Sequence, residues 1–238
     1  MSGHSKWAQI KHKKAASDAK KGNLFSKLSR MITVTAKGGS DPATNASLRV
    51  AIEKARGFSL PQHNIERAIQ KAEEKKSGEG LEEVLYEAYG PGGSALLIEG
   101  ITDNKNRTTA EIKHLLSEYD GKLAEKGTVL WLFERVAVLE IARDTKKSAE
   151  DIELALIDAG VNDTATEEEI VYGFFAPDTL ENTKEKLGAS GFPIKDAYCA
   201  WREKNQMSLA ENQKEKFIKL MEALDAHDDV QEVYTNIN

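Results

Sequence analysis

The sequence of 238 residues is 40% hydrophobic and 30% charged, with a formal net charge of −6 at pH 7, a composition that excludes an intrinsically disordered chain. No apolar run approaches the length of about eighteen residues that a membrane-spanning helix needs, and none follows the basic N-terminus as in a secretory signal. The single cysteine, Cys199, excludes an internal disulfide and suits a reducing environment, so we expect a cytoplasmic protein without a membrane partner.

The first element is a basic segment, residues 1–37. It contains nine Lys or Arg and one acidic residue, Asp18, which gives a local charge of +8. Residues 1–76 carry +10 and residues 77–238 carry −16, so positive charge is concentrated at the N-terminal end. Each basic side chain that meets a phosphate releases a counterion, whereas an acidic body repels phosphate. The sequence therefore predicts a nucleic-acid partner on the N-terminal side, and a protein partner for the acidic body.

Within the basic segment, lysines recur every seven residues at Lys6, Lys13, Lys20 and Lys27, which keeps the later ones near one face of a helix, after an extended arm that ends near Lys14. We interpret them as a row of ammonium groups that follows a phosphate backbone, the alternative being a solvated face balanced by the acidic body. Trp7 either stacks on an unpaired base or packs the segment against the helical region. The candidate nucleic-acid-binding residues are Lys6, Trp7, Lys11, His12, Lys13, Lys14, Lys20, Lys21, Lys27 and Arg30.

Three helices are predicted at the N-terminal end. In the first, Leu24, Leu28, Met31 and Ile32 recur at helical spacing, and Gly22 is a candidate kink. The predicted helices begin near Ala15, Asp41 and Pro61 and end near Gly38, Gly57 and Lys76. Their small apolar residues indicate a compact helical domain.

After a linker at residues 76–80, the apolar period changes to that of strands alternating with helices. The predicted strands are Glu83–Tyr89, Ser94–Ile101, Thr128–Phe133, Arg135–Ala142, Glu169–Phe175, Ala197–Glu203 and Val230–Ile237. The predicted helices are Asn106–Tyr119, Ser148–Ala159, Thr179–Leu187 and Leu209–Ala226. Glycines and a proline at residues 90–93 join the first two strands as a hairpin. This order predicts layers of helices on antiparallel sheets.

The connection Asp103–Thr108 has two interpretations. Its polar side chains are candidates for gripping a partner's backbone at a helix N-terminus, or for a capping turn with Asn106 as the cap. The candidate partner-contact residues are Asn104, Asn106, Arg107 and Thr108.

The sequence pattern does not indicate catalysis. The five histidines do not lie at ligand spacing from one another, and a single cysteine argues against a structural zinc site. Residues 90–93 lack the lysine of a phosphate-binding loop. We therefore expect no enzyme activity, no catalytic residue, no cofactor, no metal and no small-molecule substrate.

Several blocks distributed along the chain form a recognisable set. They are Gly3-His4-Ser5-Lys6-Trp7, Ile10–Lys13, Asp18–Lys20, Asp41-Pro42 with Asn45 and Leu48, Asn64–Ile69, Tyr86–Pro91 and Thr102–Thr108. Together they resemble the YebC family, which includes the mitochondrial translational activator of cytochrome c oxidase. The resemblance covers nearly the whole chain and departs from the family pattern at Gln62-His63 and Asp120-Gly121.

The resemblance implies three domains, the third inserted into the second. Combined with the predicted elements, it gives an α+β fold in which an N-terminal three-helix domain is followed by two small α/β sandwich-type domains with antiparallel sheets. The expected boundaries are residues 1–78 for the helical domain, 79–134 plus 208–238 for the middle domain, and 135–207 for the inserted domain.

The resemblance also implies a non-enzymatic function. Family members are described as DNA-binding transcriptional regulators, and others as ribosome-associated factors that relieve stalling at proline stretches. We therefore expect a regulator of gene expression that holds the phosphate backbone of DNA through its basic segment. The alternative is a translation factor that contacts ribosomal RNA or tRNA. The absence of a base-reading helix-turn-helix pattern in the sequence favours recognition of backbone and shape.

Overall fold

The computed structural model describes residues 18–74, 80–143, 148–167 and 169–238. The helices in these ranges are α1 (Asp18–Ala36), α2 (Ala46–Gly57), α3 (Gln62–Glu74), α4 (Lys105–Glu118), α5 (Ala149–Asp158), α6 (Leu180–Ala189) and α7 (Glu211–Ala226). The strands are β1 (Glu82–Tyr89), β2 (Ala95–Thr102), β3 (Lys122–Leu123), β4 (Phe133–Ala142), β5 (Asp163–Glu167), β6 (Ile170–Phe175), β7 (Ile194–Glu203) and β8 (Val230–Thr235). The chain separates into two compact units, one of residues 131–206 and one of the other described residues up to Ile237.

In the unit that includes residues 18–74, the helices α1, α2 and α3 pack around a common apolar core. The predicted stripe of α1 is confirmed, because Leu28 and Ile32 are buried there. α1 runs through Gly22 without interruption. α2 begins later than predicted because Asn45 caps it: the side-chain oxygen of Asn45 accepts the N–H of Leu48 at 3.0 Å.

The same unit contains an antiparallel sheet with strand order β3-β1-β2-β8. Helices α4 and α7 pack on one face of it through Ile112, Leu116, Leu220 and Leu224, which are fully buried. The predicted hairpin between β1 and β2 is confirmed. Its turn uses Gly92 and Gly93 at φ 69° and 80°, where other residues are strained.

The unit of residues 131–206 has the order β4-α5-β5-β6-α6-β7 and an antiparallel sheet arranged as β5-β6-β4-β7. Its core lies between the sheet and the two helices, and includes Leu139, Ile152, Leu156 and Leu187. Gly173 lets α5 approach β6 closely, since a Cβ there would lie 2.9 Å from the Leu156 side chain.

The predicted α+β class, with a helical N-terminal region followed by helices on antiparallel sheets, is confirmed. The strand predicted at Thr128–Phe133 is wrong: Leu130–Leu132 forms a 3₁₀ turn, and β4 starts at Phe133. The carboxylate of Glu87 accepts the N–H groups of Gly127, Val129 and Leu130 at 2.5, 2.6 and 2.8 Å, so these groups cannot pair with a strand.

Strands β3 and β5 were not predicted, because two residues are too few for a periodic signal and Asp163–Glu167 is polar. The division into three domains stays a prediction. Its first boundary falls among residues 75–79, which lie outside the described residues.

Candidate nucleic-acid interface

The predicted nucleic-acid-binding residues are distributed between α1 and the part of the chain before it. Lys6, Trp7, Lys11, His12, Lys13 and Lys14 lie outside the described residues. The backbone of Lys20 belongs to the first turn of α1. Lys21 is exposed, with its Nζ 5.7 Å from the centre of the Phe25 ring. A contact of any of these residues with nucleic acid stays a prediction.

One polar face of α1 lies against residues 225–229, which comprise the end of α7 and its connection to β8 and are called the acidic turn. Asn23, Lys27 and Arg30 share this face because they are four and three residues apart. The side-chain amide of Asn23 donates to the carbonyl oxygen of Ala226 at 2.8 Å. The Lys27 ammonium donates to the carbonyl oxygen of Asp225 at 2.5 Å and lies 3.3 Å from its carboxylate. Lys27 is 6% exposed.

Asp229 is the centre of the contact between α1 and the acidic turn. Its carboxylate, 3% exposed, pairs with the guanidinium of Arg30, accepts the Thr108 hydroxyl at 2.6 Å and accepts the Arg107 guanidinium at 2.9 Å. Burial alone would raise the pKa of the Asp229 carboxyl. The hydrogen bonds from Thr108, Arg30 and Arg107 together outweigh burial and hold this pKa well below its usual range.

Lys27 and Arg30 therefore have acidic partners within the chain. A phosphate could reach the buried ammonium of Lys27 only by displacing Asp225, whereas Arg30, whose side chain is 26% exposed, already shares its charge with Asp229. Removing one member of a buried ion pair is strongly destabilising, so these contacts hold α1 in a fixed position. At the other end of the helix, the Lys37 ammonium donates to the carbonyl oxygen of Leu81 at 2.6 Å.

The residues predicted as partner contacts after β2 are used at least partly within the fold. Asn104, and not Asn106, is the N-cap of α4, and it accepts the N–H of Arg107 at 3.1 Å. Thr108 is buried and hydrogen-bonds to Thr102 at 2.8 Å. Asn106 and Arg107 are exposed, although Arg107 also pairs with carboxylates. Contact of these residues with a partner stays a prediction.

Together with Glu111 of α4, the acidic turn forms the one candidate metal cluster among the described residues. Ligand atoms of Glu111, His227 and Asp229 lie within 4.8 Å of one another. Two guanidinium groups already bind Asp229, and the Nδ1 of His227 accepts the N–H of Asp229 at 3.1 Å. His227 Nε2 lies 3.1 Å from Glu111. This arrangement fits an ion-pair network, because the guanidinium groups would repel a cation.

Sequence reasoning missed two parts of this region. Further exposed basic side chains lie on α2 and α3, interspersed with exposed glutamates; they are Arg49, Arg56, Arg67 and Lys71. The charge of +10 for residues 1–76 includes these four residues, but no spacing in the sequence singles them out. The second part is the acidic turn, which lies about two hundred residues from α1 in sequence, and no local pattern relates the two.

In the described ranges, none of the helices has both the length and the apolar content required to cross a membrane.

Two family models match the chain. One, described as the TACO1/YebC protein N-terminal domain, matches residues 5–75, and the other, described as the TACO1/YebC second and third domain, matches residues 81–237. The chain belongs to the TACO1/YebC family. The resemblance seen in the sequence is thereby confirmed.

Relatives are similar over the full length. A "probable transcriptional regulatory protein" of Thermotoga petrophila is 46% identical over 237 residues, covering 99% of this chain and 93% of the relative. A second protein with this name, from Thermoanaerobacter pseudethanolicus, is 44% identical over 238 residues, covering 100% of this chain and 97% of the relative. The crystal structure of a conserved hypothetical protein from Aquifex aeolicus has a TM-score of 0.88 and 42% identity, covering 98% of this chain and 97% of the other.

Proposed function

We propose that this protein is a non-enzymatic, cytoplasmic regulator of transcription that binds the phosphate backbone of DNA through its basic segment, residues 1–37. The observation that carries the proposal is full-length similarity to family relatives named as probable transcriptional regulatory proteins. The names of these relatives favour transcription over the ribosome-associated alternative.

The charge distribution supports binding from the N-terminal side. Residues 1–76 carry +10 and the rest of the chain −16, so DNA is attracted to one end and repelled by the other. The bonds of Lys27 and Arg30 to the acidic turn support a division of roles along α1. Basic residues before α1, together with Lys21, then supply the phosphate contacts, while Lys27 and Arg30 hold the helix that carries them.

The experiment compares duplex DNA binding over a range of salt concentrations for the wild type and a triple variant, Lys11→Gln, Lys13→Gln and Lys14→Gln. Each lost phosphate contact lowers the slope of log affinity against log salt by about 0.9, so we expect a loss of about 2 to 3 in slope. The matched control replaces three exposed lysines elsewhere, Lys113, Lys126 and Lys186, with Gln.

The control triple should leave the slope unchanged. An equal slope for wild type and the Lys11, Lys13 and Lys14 variant would contradict DNA binding through this segment. Sedimentation with ribosomes at the same salt provides the second arm. Ribosome association that persists where DNA binding has vanished would replace the transcriptional proposal with the translational one.

A further inference from the structure

The outer face of α5 combines exposed aliphatic side chains with carboxylates. Leu154 and Ile157 are 60% and 57% exposed. Glu150 lies one turn before Leu154, Asp158 directly follows Ile157, and both carboxylates are exposed. These four residues are called the α5 ridge. The two aliphatic side chains lie three residues apart on one helical face, so they form one small apolar patch flanked by carboxylates.

The α5 ridge stands on a well-anchored helix. A capping box of Ser148 and Asp151 closes its N-terminus. The opposite face buries Ile152 and Leu156 in the core, so the ridge residues are not required for packing. The Thr166 hydroxyl donates to Glu153 at 2.7 Å and ties the flank of α5 to β5. A preformed surface loses little conformational entropy when it binds.

The charge around the ridge indicates the chemistry of its partner. Residues 148–167 contain six acidic residues and no Lys, Arg or His. The last turn of α5 has no basic residue, and Asp158 adds negative charge at the negative end of the helix dipole. This placement is unfavourable for the helix alone, and a cationic group from a partner would relieve it.

We propose that the α5 ridge is a docking surface for a basic amphipathic helix of a partner protein. Aliphatic side chains of that helix cover Leu154 and Ile157, while its Lys or Arg side chains meet Glu150 and Asp158. The charge argues against other occupants. Nucleic acid and anionic lipid are repelled, and a second copy of the ridge would bring like charges together. The inference goes beyond DNA binding, since it adds a protein contact on a different part of the chain.

The test uses the full-length protein and a labelled synthetic peptide about five helical turns long, with Lys on one face and Leu on the other. A scrambled peptide of the same composition is the comparison. Fluorescence anisotropy should show about tenfold tighter binding of the amphipathic peptide, because only this peptide can cover both aliphatic side chains at once.

Two variants separate the apolar and charged contributions. The double variant Leu154→Ser with Ile157→Ser should weaken peptide binding by about tenfold to a hundredfold. Glu150→Gln with Asp158→Asn should reduce the salt dependence of binding. Ile218→Ser, at an exposed aliphatic residue of α7, is the matched control and should bind as the wild type does. Unchanged thermal unfolding would show that the variants fold.

Equal binding of the scrambled peptide, or unchanged binding by the Leu154 and Ile157 variant, would overturn the proposal. So would sedimentation showing that this double variant abolishes self-association of the chain, which would identify a second copy as the occupant. DNA binding is measured on the same samples. A wild-type protein that binds DNA but does not prefer the amphipathic peptide would refute the ridge proposal alone. A wild-type protein that prefers the peptide but does not bind DNA would refute the proposed function alone.

Discussion

The guanidinium of Arg30 contacts the carboxylate of Asp229, 199 residues further along the chain. The same guanidinium donates to the carbonyl oxygen of Ile101 at 3.1 Å. One side chain thereby connects α1 to the acidic turn and to β2. Because Asp229 is 3% exposed, water screens this contact poorly. We infer that α1 is held rigidly in its unit and gives the basic residues before it a fixed support.

The substitution Asp229→Asn should be among the most destabilising single changes in the protein. It removes the negative charge shared by Arg30, Arg107 and Thr108 and leaves two cationic groups without it. Breaking a buried ion pair in this way costs about 3–5 kcal/mol in the free energy of unfolding, measurable by urea denaturation. Asp228→Asn, at the exposed neighbouring position, is the control. It should change the free energy of unfolding by less than about 0.5 kcal/mol.

The depressed pKa of Asp229 predicts how stability depends on pH. In the folded state this carboxyl stays ionised at pH values below its usual pKa. Its contribution to the free energy of unfolding is therefore fully present above the unfolded-state pKa of about 3.9. The contribution is lost as the pH falls from that value towards the lower folded-state pKa. The free energy of unfolding should therefore fall less steeply below about pH 4 in Asp229→Asn than in the wild type. Parallel pH curves for the two proteins would argue against this role.

Glu87 should control the order of the chain just before β4. Burial would raise the pKa of its carboxyl, but hydrogen bonds from the backbone of Gly127, Val129 and Leu130, aided by the charge of Lys126, lower it. Glu87→Gln should cost about 1.5–3 kcal/mol of unfolding free energy, because hydrogen bonds to a charged acceptor are lost. Hydrogen exchange at these three amides should accelerate. Glu83→Gln, exposed on the same strand, should leave their exchange unchanged.

Asn45 should stabilise two helix ends at once. It caps α2 through Leu48, and its amide donates to the carbonyl oxygens of Thr35 and Gly39 at 2.8 and 2.7 Å. Asn45→Ala should lower the free energy of unfolding by about 1–2 kcal/mol in thermal or chemical denaturation. Ser47→Ala, at an exposed position in the first turn of α2, should have a small effect. Equal losses for the two variants would mean that Asn45 is an ordinary surface residue.

Sequence predicts the local features of this fold well and the long-range ones poorly. The stripe of Leu28 and Ile32 and the β1–β2 hairpin depend on neighbouring residues, and both are confirmed. The wrong strand before β4 arises because Glu87, about forty residues away, takes up the backbone N–H groups of that segment.

The candidate site has the same division between local and distant information. The positive charge of residues 1–37 is visible in the sequence. The sequence does not show which of these basic residues bind carboxylates within the fold, because Lys27 and Lys21 have the same side chain. Their difference is set by the acidic turn that the distant end of the chain brings to one face of α1.

The most direct test of this account compares Lys27→Gln with Lys21→Gln on two observables, the free energy of unfolding and the salt slope of DNA binding. Lys27→Gln should lower the free energy of unfolding by about 1–3 kcal/mol and leave the slope unchanged, because its ammonium binds Asp225. Lys21→Gln should reduce the slope by about 0.9 and leave stability within about 0.5 kcal/mol. A reduced slope with unaltered stability for Lys27→Gln would contradict the account.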